Sequence, residues 1–168
     1  MIRQAAESEL PAIMSMIGLV VRQMRDEGSD QWSEQYPAAA DFLSDIRQGS
    51  LFVETAEGEP GELRALACLN REEPEEYAPV RWSRPGPATV IHRLAVHPGR
   101  RKQGIAKALF LFAEDLARGS GTDYIRSDTY SLNAPMNALF VKLGYRQTGG
   151  IRFPGRREEF FCYDKRLG

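Results

Sequence analysis

Cysteine and histidine are scarce in this chain, with two of each among 168 residues. Cys68 and Cys162 belong to no CxxC pair, and no Cys/His cluster has metal-ligand spacing, so the sequence predicts neither a metal site nor a disulfide framework. Both cysteines sit in apolar, strand-like text, which predicts buried free thiols in a reducing compartment. An excess of one charge is missing too. The formal net charge is -1, so nothing global points to nucleic acid or an anionic membrane, and any anion site must be local. The longest apolar stretch, around Ile13 to Val21, is too short and interrupted to span a bilayer. MIRQAAESEL at the start lacks the charged-then-apolar form of a signal peptide. There is no internal repeat and no low-complexity tract. A soluble cytoplasmic protein is expected, without nucleic-acid or membrane partners.

What is present is an ordinary globular balance, 42% hydrophobic and 27% charged, which suits one domain over residues 1–168. Ile2 to Ala5 reads as a short strand. Ser8 reads as an N-cap before a helix over Glu9 to Asp26, where Leu10, Ile13, Ile17, Val20 and Met24 recur at helical spacing. A second helix is predicted from Ala38 to Gln48. Leu51 to Thr55 and Leu63 to Asn70 read as a hairpin around the turn residues Glu57 to Gly61. Arg71 to Pro87 is proline-rich and reads as a long loop, a length that is often functional. Strand, helix and strand follow at Ala88 to Val96, Gly104 to Arg118 and Thr122 to Tyr130. A short helix over Asn133 to Leu143 has Asn133 as its cap. Strands beginning at Tyr145 and spanning Glu159 to Leu167 close the chain. The order β-α-α-β-β-β-α-β-α-β-β predicts an α+β fold: one mixed twisted sheet with helices on both faces.

The unusual stretch is PGRRKQGIA, Pro98 to Ala106, between a buried strand and a helix. A helix start offers unpaired N–H groups and a positive dipole end, which together suit phosphate. Gly104 allows close backbone approach, and Ala106 keeps the next turn small. Arg100, Arg101 and Lys102 oppose the helix dipole, so a purely structural start would favour acids or Ser/Asp caps instead. A merely solvated basic start is the alternative. The loop fits neither the GxxxxGK[ST] nor the GxGxxG pattern.

Leu94 to Phe110 resembles the acetyl-CoA-binding motif of the GNAT N-acetyltransferase superfamily, [Q/R]-x-x-G-x-[G/A], through Arg101, Gly104 and Ala106. A second family segment is matched by Asn133, Gly144 and Tyr145, and the order of elements is also similar. The resemblance implies that backbone N–H groups of Arg101, Lys102, Gln103, Gly104, Ile105, Ala106 and Lys107 hold the CoA pyrophosphate. It implies that Leu94 and Val96 pair with the pantetheine arm as an added strand would, with Asn133 bonding the same arm. Phe140 stands seven residues after Asn133, where the family usually has the tyrosine that protonates the CoA thiolate. Tyr145 and Tyr130 are the nearby substitutes, with water as the alternative.

Transfer of an acetyl group to an amine requires a neutral nucleophile, because an ammonium with pKa about 10.4 has no lone pair to offer. His92, two residues before Leu94 on the expected strand, is the candidate base, and strict alternation would set both on one face. A core histidine with a backbone partner is the alternative reading. His97 reads as a turn residue. On the acceptor side the resemblance implies a groove from the first helices and the Arg71–Pro87 loop, where Trp32, Tyr36, Tyr77 and Trp82 fall. Glu34, Glu72, Glu73, Glu75 and Glu76 could attract an amine; equally, the aromatics could seal the domain and the acids be solvated. The expected function is acetyl-CoA-dependent transfer to a small-molecule or peptide amine; the resemblance also admits a homodimer. A non-catalytic acyl-CoA-binding regulatory domain and a nucleotide- or phosphate-binding module are the competing readings. Thermal melting separates the last of these: acetyl-CoA raises the melting temperature and ATP at the same concentration does not.

Overall fold

In the computed structural model, which describes residues 1–58 and 62–168, seven strands form one mixed sheet. They are β1 (Ile2–Gln4), β2 (Leu51–Thr55), β3 (Leu63–Asn70), β4 (Thr89–Val96), β5 (Tyr124–Tyr130), β6 (Arg146–Ile151) and β7 (Phe160–Arg166). Their order across the sheet is β1-β2-β3-β4-β5-β7-β6. The α-helices are α1 (Leu10–Asp26), α2 (Ala39–Arg47), α3 (Ile105–Gly119) and α4 (Ala134–Lys142). β4 and β5 run parallel, and the β1/β2, β2/β3, β5/β7 and β6/β7 ladders are antiparallel. The α+β class and the element order are those expected, with most ends shifted by a residue or two. Of the expected Glu57 to Gly61 turn, residues 59–61 lie outside the described residues.

Ser8 is not the cap it was expected to be. A 3₁₀ turn, Glu7–Glu9, precedes α1, and the Glu9 carboxylate accepts from the Ala6 N–H at 2.8 Å. The longer acidic side chain, held by Arg3 at 2.7 Å, supplies the acceptor that a serine hydroxyl would have given.

The chain forms two compact units, Met1–Leu69 with Arg93–Phe112, and Asn70–His92 with Ala113–Gly168. In the first, α1 buries Ile13, Met16, Ile17, Val20 and Val21 against Phe42 and Ile46 of α2 and against Leu51, Val53, Leu66 and Cys68 of the hairpin. Phe52 alternates with Leu51 and Val53, so it points the other way, where its ring meets Phe112 of α3 at 5.1 Å. Helices therefore cover both faces of this part of the sheet. In the second unit, Tyr77, Val90, Tyr130, Ile151, Phe160 and Cys162 form a buried cluster. Both cysteines are free and buried, as expected.

β4 is interrupted at Arg93, which has φ 49°, a left-handed conformation that strains a residue with a side chain. The guanidinium holds Asp45 of α2 through two bonds, at 2.8 and 2.7 Å, and donates to the Tyr36 hydroxyl at 3.3 Å. Both charges are largely buried. Strain of this kind persists only where surrounding bonds over-determine it. Removing Asp45 strands a buried cation. Asp45→Ala is expected to lose about 3–5 kcal/mol in urea unfolding. Arg25→Ala, which breaks the exposed Arg25–Glu34 pair, is expected to lose about 0–1 kcal/mol.

Candidate active site

The loop after β4 is built by local turns. His97 Nδ1 accepts from the Gly99 N–H at 2.9 Å and caps a 3₁₀ turn over Pro98–Arg100, so His97 is a turn residue, as expected. Lys102 (φ 63°) and Gly104 (φ 76°) are both left-handed. Successive N–H groups in such turns form concavities that bind anions. The first bond of α3 runs from the Ala108 N–H to the Gly104 carbonyl at 3.0 Å. The N–H groups of Ile105, Ala106 and Lys107 precede it and have no acceptor within the helix. A Cβ on Gly104 would meet no atom within 4 Å, so the space in front of the loop is open to a ligand. Arg100 is engaged by Glu62, and Arg101 lies 3.7 Å from Glu27. Lys102 and Lys107 have no anionic partner among the described residues, which leaves them available to phosphate. The residues present thus fit a pyrophosphate. Upstream in the same unit, Leu94 and Val96 are half-buried on β4, and Ala95 packs into the α1/α2 core.

In the second unit, His92 is half-buried and its Nε2 lies 2.9 Å from Asn70 Oδ1. The amide oxygen, which also accepts from the Glu72 N–H at 3.0 Å, can only accept, so Nε2 carries the hydrogen and Nδ1 is the basic nitrogen. Asn133 caps α4 by accepting from the Met136 N–H at 3.3 Å. Phe140 is buried and stacked on Tyr163, with ring centroids 4.3 Å apart and planes 5° from parallel. The Tyr163 hydroxyl donates to Asn137 at 2.7 Å. Tyr145 is buried, edge-on to Phe140, and its hydroxyl donates to Glu114 at 3.3 Å. Glu114 also holds Lys165 at 2.7 Å. Burial first, and then Glu114, pushes the Tyr145 phenol well up, opposite to the direction that eases proton donation. Tyr130 is buried as well, its hydroxyl accepting from the Glu158 N–H at 3.0 Å. Burial pushes Cys68 up to about 11 and Cys162 up to about 12, so neither is a thiolate nucleophile at neutral pH.

The four acceptor-side aromatics fall in different surroundings. Trp32 is buried in the first unit's core, whereas Tyr36 is 39% exposed. Beside them a cleft of about 340 Å³ opens between α1 and the following segment, with Met14, Ile17, Val21, Arg22, Ser33 and Pro37 among its lining. Tyr77 is buried, and its hydroxyl donates to Asp128 at 2.5 Å. Trp82 packs against Tyr77, centroids 4.9 Å apart, and lies under the Arg126 guanidinium at 4.7 Å. Glu34 is tied to Arg25 and Glu73 to Arg126. Asn70, Asp128, Arg93 and Tyr163 were not among the residues singled out from the sequence. Their partners come from distant segments, and only a gap at Phe140 hinted that another aromatic stood beside it.

The family model described as "Acetyltransferase (GNAT) family" matches residues 20–145. The chain belongs to the GNAT acetyltransferase family. Members use acetyl-CoA as the acetyl donor. A GNAT-family acetyltransferase from Streptococcus agalactiae 2603 is 29% identical, with TM-score 0.84, over 100% of this chain and 95% of that one. NAA60 of Arabidopsis thaliana, solved with a bisubstrate analogue, shares the fold at 17% identity and TM-score 0.71, over 100% and 98% of the two chains. The Salmonella typhimurium protein yncA, solved with its cofactor acetyl-CoA, shares it at 17% identity and TM-score 0.72, over 100% and 94%. No curated protein matches the sequence. No helix among the described residues of this GNAT chain is long and apolar enough to cross a membrane. Because Glu114 keeps Lys165 when the Tyr145 hydroxyl is removed, Tyr145→Phe is expected to lose only about 1 kcal/mol of stability. Its kcat should stay within twofold of wild type, where loss of a proton donor would lower kcat by about 10²-fold or more.

Proposed function

We propose that this GNAT acetyltransferase moves the acetyl group of acetyl-CoA directly to a primary amine, on a small molecule or a peptide, with His92 as general base. The observation that carries the reading is the bond between His92 Nε2 and Asn70 Oδ1, which fixes the tautomer and presents Nδ1 for proton abstraction. Acetyl-CoA supplies the acetyl group as a thioester, held at its pyrophosphate by the N–H groups of Arg101 to Lys107 and by the cations Lys102 and Lys107. Leu94, Val96 and Asn133 take the pantetheine arm, and Phe140 with Tyr163 closes the apolar wall behind it. Trp32 supports the acceptor segment from the core, and Tyr36 and Trp82 border the acceptor.

His92 Nδ1 takes a proton from the acceptor ammonium, the freed lone pair attacks the thioester carbon, the C–S bond breaks to release CoA as its thiolate, and the excess proton on the new amide nitrogen leaves to water. Solvent returns a proton to the thiolate, because the Tyr145 hydroxyl is given to Glu114 and Tyr130 is buried. The raised thiols of Cys68 and Cys162 give no nucleophile for an acetyl-cysteine step, which favours direct transfer. Thiol release from acetyl-CoA with a panel of primary amines tests the reading. His92→Ala should lower kcat by about 10²–10⁴-fold and flatten the acidic limb of the kcat–pH profile. An unchanged rate and profile would remove His92 from the mechanism.

A further inference from the structure

One carboxylate of the second unit differs from its neighbours. Glu114 has Lys165, Glu73 has Arg126, and Asp164 accepts from the Ser83 N–H, the Ser83 hydroxyl and the Tyr124 hydroxyl. Among the described residues no cation lies against Asp128 of β5. Among the described residues its side-chain partner is the Tyr77 hydroxyl, which donates to Oδ2 at 2.5 Å. Its surroundings are apolar or repulsive. It stands opposite Cys162 across the β5/β7 ladder, at the edge of the Tyr77, Val90, Tyr130 and Cys162 cluster. The neighbouring Glu76 carries like charge. Tyr77 is itself deeply buried, so the hydroxyl that fixes Oδ2 is held rigidly by the packing around it. Desolvation raises the Asp128 carboxyl to about 6, against the opposing bond from Tyr77, so it is still ionised at neutral pH.

The parallel β4/β5 ladder ends one residue short of this carboxylate and of the candidate base. The parallel β4/β5 pairs run Thr89↔Ile125, Val90↔Arg126 and Ile91↔Ser127. His92 and Asp128 are the next residues along the two strands. By alternation they share the face of Val90 and Arg126, before the interruption at Arg93. A half-buried carboxylate kept ionised without a cation of the protein's own is completed by a cation from outside.

We propose that Asp128, oriented by Tyr77, docks the ammonium group of the acceptor beside His92, so that the acceptor class is a primary amine bound in its protonated form. This rests on the amine-transfer reading above. One ammonium N–H bonds to the carboxylate, whose protonation state does not change. A second proton passes to His92 Nδ1, and the neutral amine that remains attacks the thioester. Asp128 thereby sets affinity for the cationic acceptor, and His92 sets the rate of proton removal.

The test compares wild type, Asp128→Asn and Tyr77→Phe in thiol release with primary amines, and in thermal melting with and without acetyl-CoA. Asp128→Asn should raise the amine KM about 10–100-fold, the loss of one charged hydrogen bond. The acetyl-CoA KM, the melting shift given by acetyl-CoA and kcat at saturating amine should all stay within about threefold. In wild type the amine KM should climb as pH falls through about 6, where Asp128 takes up a proton; in Asp128→Asn it should not. Tyr77→Phe should raise the amine KM less, about 3–10-fold, by freeing Oδ2. Stability provides an independent readout. A carboxyl raised in the folded state favours folding below its unfolded pKa, near 3.9, and loses that contribution as pH rises through about 6. Asp128→Asn should therefore melt no lower than wild type at pH 8, whereas a carboxylate retained for structure would melt lower when replaced. An unchanged amine KM in Asp128→Asn, or a lowered melting point there with an unchanged amine KM in Tyr77→Phe, would overturn the docking role. Failure of wild type to release thiol with any amine would instead overturn the amine-transfer reading itself.

Discussion

The bond between Arg93 and Asp45 is the constraint on which the architecture turns. β4 must do two things along one short strand. Its first half, through Ile91, pairs in parallel with β5; its second half buries Ala95 under α1 and α2. A regular pleat cannot be interrupted without cost, and a left-handed arginine costs about 1–3 kcal/mol. The bidentate grip of Asp45, with the Tyr36 hydroxyl beside it, offsets that strain and holds it in one place. The candidate site residues of this strand are set out from that point. His92 lies immediately before it, and Leu94, Val96 and the candidate phosphate loop lie immediately after.

The candidate loop and the candidate base illustrate two ways of fixing a group in place. In the loop the backbone does the work: two left-handed residues and a helix start leave N–H groups without an acceptor inside the helix, and no side-chain geometry has to be exact. At His92 a single side-chain bond chooses the tautomer. The first arrangement tolerates sequence change except at Gly104, whose φ excludes a side chain at no strain. The second depends on the identity of Asn70, far away in the chain.

The local patterns were readable in the sequence. Apolar spacing gave α1, and Asn133 announced its own role as a cap. Gly104 and the cations before it marked the phosphate loop, because those residue types oppose what an ordinary helix start favours. What could not be read was any feature made by two distant segments. The positive φ of Arg93 depends on Asp45, the isolation of Asp128 depends on which cations go elsewhere, and the wall behind Phe140 depends on Tyr163. Ser8 failed as a cap because Glu9 reaches the same N–H group, a competition that composition alone does not rank.

The way the chain is divided has a consequence for how it acquires its structure. Each compact unit is made of two separate stretches, and the boundary falls within β4, between His92 and Arg93. No single cut releases either unit whole, and neither is complete until the polypeptide has left it and returned. Contacts so distant along the chain carry a high loop-closure entropy, which favours slower and more concerted folding than a helical bundle of the same size.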